Sequence, residues 1–209
     1  MRCYTITRSL VLVCATIALA FAVVGVFIPF FVMPSSIVET VNSLNSSIQS
    51  PTFNIESGKA TLERFGLLAS GPPAKSVMTL WKLTYGSSEN DTSITLRDDY
   101  FTCFRGNMLI QAAEGIAVVT CVLSAANFIM SVFLFFFSPI VKFPLVVYFF
   151  LAAAAAAVTS GLTLHLYLHG WCTNTSLKMQ EWNLSSGFAL FVISCGVSLI
   201  ASVGTVFSD

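Results

Sequence analysis

Apolar residues along this chain gather into four runs, roughly Ser9–Met33, Met108–Phe137, Ile140–His169 and Ser186–Phe207, separated by stretches in which polar residues dominate. Each run exceeds the ~20 residues that a helix needs to cross a ~30 Å hydrocarbon core, so the pattern predicts four membrane-spanning helices. A long segment, about Pro34–Asn107, joins the first two runs, and a short one, Gly170–Ser185, joins the last two. Only a tight connection around Ser138-Pro139 separates the second from the third. Within the long segment, Thr52–Glu56, Ser76–Tyr85 and Thr92–Leu96 have strand character. In the middle stretch Val77, Thr79, Trp81, Leu83 and Tyr85 share one face under a period of two. Gly71-Pro72-Pro73 and Gly86-Ser87-Ser88 bracket it as turns. The expected fold is all-α membrane: residues 1–209 form one domain, a left-handed four-transmembrane-helix bundle. It bears a small extracellular β-sheet formed by the first outer loop, with the second loop as a hairpin against it.

Sidedness follows from two independent patterns. All four N-glycosylation sequons, beginning at Asn45, Asn90, Asn174 and Asn183, fall in the two loops that share one side of the membrane. The short segments on the other side hold Arg2, Arg8 and Lys142 against a single acid, Asp209. Short loops rich in Lys and Arg stay cytoplasmic, whereas loops beyond ~60 residues escape that rule. We therefore expect a multi-pass plasma-membrane protein with both termini cytoplasmic. Asn90 stands furthest from any span and is the favoured glycan site, followed by Asn45; Asn174 and Asn183 crowd against spans. The first run has a basic start and small-x-small triplets at Ala18–Ala22. Cleavage there would leave the apolar stub Val23–Met33, and a signal core is only ~7–15 residues long, so the run reads as an uncleaved span.

Composition removes most other classes. The chain is 56% hydrophobic and 10% charged, too little polar surface to cover a soluble core. Ten basic and ten acidic residues leave no net charge and no case for nucleic-acid binding. There is no C-x-x-C, H-E-x-x-H, G-x-S-x-G or Walker A spacing, so no enzyme, cofactor or metal centre is expected. The Ala152–Ala157 run, and Ser194, Ser198 and Ser202 at four-residue spacing, read as packing seams, because small side chains let helices approach within lipid.

A few residues carry candidate chemistry. Glu114 lies about six residues inside the second span, ~9 Å deep at ~1.5 Å per residue. His165 and His169 lie one helical turn apart near the outer end of the third. An intramembrane acid is a functional-site hypothesis by default, open to transport, and His-x-x-x-His with a carboxylate suits zinc. The plainer reading is a buried carboxylate partnered by Gln111, Arg105 or a histidine, since the inner half of the bilayer offers few polar stations. Cys14, Cys121 and Cys195 lie within spans, and Cys3 sits at the cytoplasmic edge, open to palmitoylation or a plain thiol. Only Cys103 and Cys172 are outside, where disulfides persist. They flank antiparallel neighbours and are expected to join the two loops, against unpaired thiols or intermolecular bonds as alternatives.

Met78-Thr79-Leu80-Trp81, then Cys103, Arg105 and Gln111-Ala112-Ala113-Glu114-Gly115-Ile116-Ala117-Val118, resemble the amastin family, four-span surface glycoproteins of parasitic protozoa distantly similar to claudins. Span number and loop sizes extend the resemblance over nearly the whole chain. The sequence diverges where the signature's leading cysteine falls at Val77, its glycine after tryptophan at Lys82 and its closing cysteine at Ser87. The family's intraloop disulfide cannot form here, and a Cys103–Cys172 tie would substitute for it. The resemblance implies a non-enzymatic surface glycoprotein in adhesion, membrane organisation or host interaction, with the bilayer and a lateral homo-oligomer or cell-surface partner as its contacts. Trp81 then serves as the core of the outer sheet or as a partner contact. The alternative is a small-solute or proton transporter using Glu114 and His165/His169.

Overall fold

The computed structural model describes residues 2–33, 75–87, 90–101, 103–136, 138–169 and 176–206. They form helix α1 (Arg2–Phe27), strands β1 (Phe31–Val32), β2 (Lys75–Met78), β3 (Lys82–Ser87) and β4 (Asn90–Thr95), and a π-helical turn over Leu96–Tyr100. Helices α2 (Phe104–Phe133) and α3 (Ser138–Leu168), strand β5 (Asn183–Leu184) and helix α4 (Ser186–Val206) complete the order. All four helices are long and apolar enough to cross a membrane. The predicted strand Thr52–Glu56, the turn Gly71-Pro72-Pro73 and the sequons at Asn45 and Asn174 lie outside the described residues.

The chain divides into two compact units. One, the helical unit, comprises Met1–Ile28, Gln111–His165 and Ser186–Asp209; the other, the sheet unit, comprises Pro29–Ile110 and Leu166–Ser185.

In the helical unit, each helix buries a narrow stripe at alternating three- and four-residue steps, the 3.5 repeat of left-handed helix packing. On α1 the stripe is Arg8, Val11, Ala15, Ala18, Ala22 and Gly25; on α4 it is Gly187, Phe191, Ser194, Ser198, Ala201 and Thr205. These two helices lie antiparallel and close. A Cβ built on Gly25 would meet the Phe191 ring at 2.9 Å, the Ser194 hydroxyl donates to the Ala18 carbonyl at 3.1 Å, and Gly204 faces Val11. Small residues permit that approach, which maximises dispersion contacts where no hydrophobic driving force acts between helices. Ser194 and Ser198 thus belong to a packing seam as expected, whereas Ser202 turns to α3 and donates to the Val146 carbonyl at 3.5 Å. In the alanine run Ala152, Ala153 and Ala156 are buried, while Ala154 and Ala157 face outward. Val11, Ala15, Leu134, Leu145, Phe149 and Ala201 close a core to which all four helical segments contribute. The outward faces carry large apolar side chains such as Val13, Val24, Val122, Ile129, Phe143, Ile200 and Val203, a surface suited to lipid and not to water.

The first apolar run does not end as one helix. Pro29 disfavours the α conformation at Ile28, and α1 stops at Phe27. The remaining apolar residues become β1, the fourth strand of a five-stranded antiparallel sheet ordered β4-β3-β2-β1-β5. β1 is apolar because it is interior: Phe31 pairs with Met78 on one side and with Leu184 on the other, and is 2% exposed. The sheet is therefore not made by the first loop alone; the second loop supplies the edge strand β5 in place of a hairpin.

Candidate functional site

The ten residues Ser76–Tyr85, read from their periodicity as one strand, form a hairpin. Met78 pairs with Leu83, and the turn between β2 and β3 is Thr79-Leu80-Trp81. The Thr79 hydroxyl accepts the Lys82 amide at 3.1 Å and the Trp81 amide at 3.3 Å, and lies 3.1 Å from the Lys82 carbonyl. This short side chain competes with the ladder for backbone partners, which is how threonine closes turns. The turn reverses the alternation. Met78, Leu80 and Leu83 are buried at 1%, 1% and 4% exposure, while Trp81 is 37% exposed. The core of the sheet is thus built on Leu80 and its neighbours, and Trp81 is the side chain presented outward. The predicted turn at Gly86-Ser87-Ser88 also shifts: Gly86 and Ser87 are still in the ladder, opposite Asp91 and Asn90.

The second loop locks onto this unit through residues that sequence reading passed over. After α3, the Leu177 and Lys178 amides donate to the Leu166 and Tyr167 carbonyls, satisfying helix-end acceptors. Ser176 then caps a single helical turn by accepting the Met179 amide at 3.2 Å. The turn ends with Trp182 donating to Leu177 and Glu181 to Lys178, the paired bonds of a Schellman motif. Glu181 holds the left-handed position, φ 61°, where glycine usually sits. Trp182 and Leu177 are buried. The Tyr100 hydroxyl donates to Gln180 Oε1 at 2.8 Å and also bonds the Trp182 side chain. Burial pushes the Tyr100 phenol well above its ordinary range, and the Trp182 bond offsets only part of that. Phe31 stacks on Tyr167, and Tyr100 meets Phe101 edge-on.

Two sequons are described, and both asparagines start edge strands of the sheet: Asn90 opens β4 and Asn183 opens β5. Cys14, Cys121 and Cys195 are free thiols. Cys103 is disulfide-bonded, and Cys172 lies outside the described residues.

On α2, Glu114 is 1% exposed and has an interaction partner, while Arg105 is exposed. Below Glu114 the same buried face continues through Ala117, Thr120, Ser124, Asn127 and Ser131. Thr120 and Ser131 donate to carbonyls of their own helix, and Asn127 Nδ2 donates to the Tyr148 carbonyl of α3 at 3.3 Å. Hydroxyls that bond back one turn satisfy themselves locally, which lets polar residues line a helix seam without a water path. Helix α3 ends at Leu168, so His165 lies within the helix and His169 just past it. Among the described residues no three His, Cys, Asp or Glu side chains cluster as metal ligands.

Residues 60–204 match the amastin surface glycoprotein family, more than half of the chain and all of α2, α3, the hairpin and β5. The chain belongs to the amastin family. No curated protein matches it. The amastin match begins after α1 and β1, so the first span and the strand it feeds lie outside the matched region, yet they complete the seam with α4 and the interior of the sheet. Within the amastin signature, Thr79 shapes the turn, Leu80 fills the core and Trp81 is displayed. The amastin family is not an enzyme family, and its name marks surface glycoproteins.

Proposed function

We propose that this amastin-family chain is a non-enzymatic plasma-membrane glycoprotein whose sheet unit faces outward and serves adhesion, membrane organisation or host interaction, with both termini in the cytosol. One observation carries the reading: β1 of the first loop pairs with β5 of the second, Phe31 with Leu184 and Val32 with Asn183. Two loops that share a sheet share a side of the membrane, and every sequon of the chain falls in those loops. The sheet unit is then presented where a partner and a glycosyltransferase can both reach it. Pairing of Cys103 with Cys172, across the same two loops, fits this arrangement, since secreted-side thiols persist as disulfides.

The test is glycan mapping. Single Asn→Gln substitutions at Asn45, Asn90, Asn174 and Asn183 should shift gel mobility most at Asn90, next at Asn45, with the glycosidase-sensitive pool labelled by an impermeant surface reagent. An unglycosylated chain whose loops resist surface labelling while its termini accept it would overturn the orientation.

A further inference from the structure

The end of the sheet that carries Thr79-Leu80-Trp81 is also the end at which the strands meet their spans. Phe31 opens β1 four residues after α1 finishes at Phe27, Thr95 closes β4 before the chain enters α2 at Phe104, and Leu184 closes β5 two residues before α4. Register puts Phe31 opposite both Met78 and Leu184, and Thr95 opposite Lys82. The hairpin tip is sewn to this end on both flanks: Phe30 donates to the Met78 carbonyl at 2.8 Å, and Leu96 donates to the Trp81 carbonyl at 3.3 Å.

The Trp81 indole is not needed to hold that geometry. Its backbone amide is taken by Thr79 and its carbonyl by Leu96, while Leu80 fills the core beside it. Among the described residues, the other large apolar side chains exposed in the sheet unit are Phe104 (81%) and Met108 (55%) at the start of α2, Leu168 at the end of α3, and Met179 on the turn bonded to α3's last carbonyls. All of them belong to segments at span ends. Lys82, next to Trp81, and Arg105, next to Phe104, are exposed as well. Indole rings favour the membrane–water boundary, where an apolar body and a polar N–H are both accommodated, and long cationic side chains there reach the phosphates.

We propose that the Thr79–Trp81 tip is an interfacial anchor: Trp81 inserts at headgroup level into the bilayer that the chain itself spans, and Lys82 reaches a lipid phosphate. The occupant of the exposed indole is phospholipid, by continuity with the lipid-facing ends of α2 and α3. The inference rests on the helices crossing a bilayer, not on which side the sheet faces. It assigns the signature tryptophan to holding the sheet unit at the membrane surface, which leaves the far end of the sheet, with the Ser87–Asn90 hairpin, for partners.

The full chain would be reconstituted in phosphatidylcholine nanodiscs containing a lipid with a doxyl group high on its acyl chain, and tryptophan emission recorded with and without aqueous iodide. The component lost in Trp81→Phe reports Trp81 above Trp171 and Trp182. That component should be quenched by the doxyl lipid and protected from iodide. Trp81→Tyr, which keeps an interfacial ring, provides the same subtraction should the phenylalanine variant fail to fold. Quenching by iodide with no response to the doxyl lipid would place the tip in water, ready for a protein partner, and overturn the proposal. Protection from both quenchers would mean that a second copy covers it, and would overturn the proposal equally.

Discussion

Replacing Gly25 by alanine tests the close contact between α1 and α4. The added methyl would sit 2.9 Å from two carbons of the Phe191 ring and 3.5 Å from Leu190 Cβ. Ordinary carbon contacts lie near ~3.5–4.0 Å, so the ring must give by at least half an ångström. It has little freedom to do so, being 0% exposed in the seam between α1 and α4. Overpacking of this kind costs ~1–3 kcal/mol. Alanine in place of glycine returns up to ~1 kcal/mol of helix propensity, so the net loss is ~0–2 kcal/mol. Gly196→Ala on α4 is the control, because a methyl there meets nothing within 4 Å and only the propensity gain remains. The two variants should therefore differ by ~1–3 kcal/mol. Phe191→Leu, which shortens the obstructing side chain, should recover part of the Gly25→Ala loss in a double-mutant cycle. Equilibrium unfolding in mixed micelles, followed by circular dichroism, gives all four values. If Gly25→Ala stabilises the protein as much as Gly196→Ala does, the close approach of the first and last spans is wrong.

Glu114→Gln should reach the cell surface better than Glu114→Leu, since the amide keeps hydrogen bonds for a group that is 1% exposed; equal delivery of both by flow cytometry would remove the buried polar contact, and normal delivery with loss of a measured flux would favour transport. Non-reducing peptide mapping should recover a linked Cys103–Cys172 peptide, and free alkylation of both thiols on intact cells would sink that pairing. For Tyr100, whose phenol is shifted up in the fold, the stabilisation is complete below the ~10 of a free phenol and is lost as pH climbs through the higher folded value. The ultraviolet phenolate titration of the native chain minus that of Tyr100→Phe should thus show one group that ionises late, and a difference midpoint near 10 would contradict its burial. Glu181→Gly should raise stability by up to ~1 kcal/mol, because it relieves a left-handed non-glycine residue without breaking the Schellman bonds; a destabilised variant would show that the Glu181 side chain matters more than its backbone.

The four spans were legible because length and apolarity alone decide them. Their inner faces were legible in part of α3, through the Ala152–Ala157 run, and in α4, where Ser194 and Ser198 stood out against an apolar background. The polar face of α2 was not, because Thr120, Ser124 and Ser131 are small and scattered, and Thr120 and Ser131 bond back to their own helix. The end of the first span was hidden, since Phe31 and Val32 are as apolar as a span residue; an interior strand and a membrane helix both exclude water. The hairpin at Thr79 was masked by alternation that continued through it, for a two-period pattern cannot show that the chain has reversed. No local signal announces β5, a two-residue strand whose partner lies about 150 positions away. Trp81 was singled out by its motif, but whether a tryptophan fills a core or leaves it depends on the neighbour that gets there first, here Leu80.

Pairing of the beginning of the chain with its end has a consequence for the order of synthesis. The first span emerges from the ribosome presenting Ala15, Ala18, Ala22 and Gly25, and the helix that fits this groove is made only after α2 and α3. The same delay holds outside the helices, where β1 gains β5 only when Asn183 and Leu184 arrive. Until then β1 has an open edge, and the sequon at Asn90 sits on a sheet that lacks its final strand. Completion of the fourth span therefore acts as a checkpoint: it shuts the first helix into its groove and adds the final strand in one event. A chain cut short before it would expose an unfilled helix face to lipid and an unpaired strand edge to water, the latter a template for aggregation.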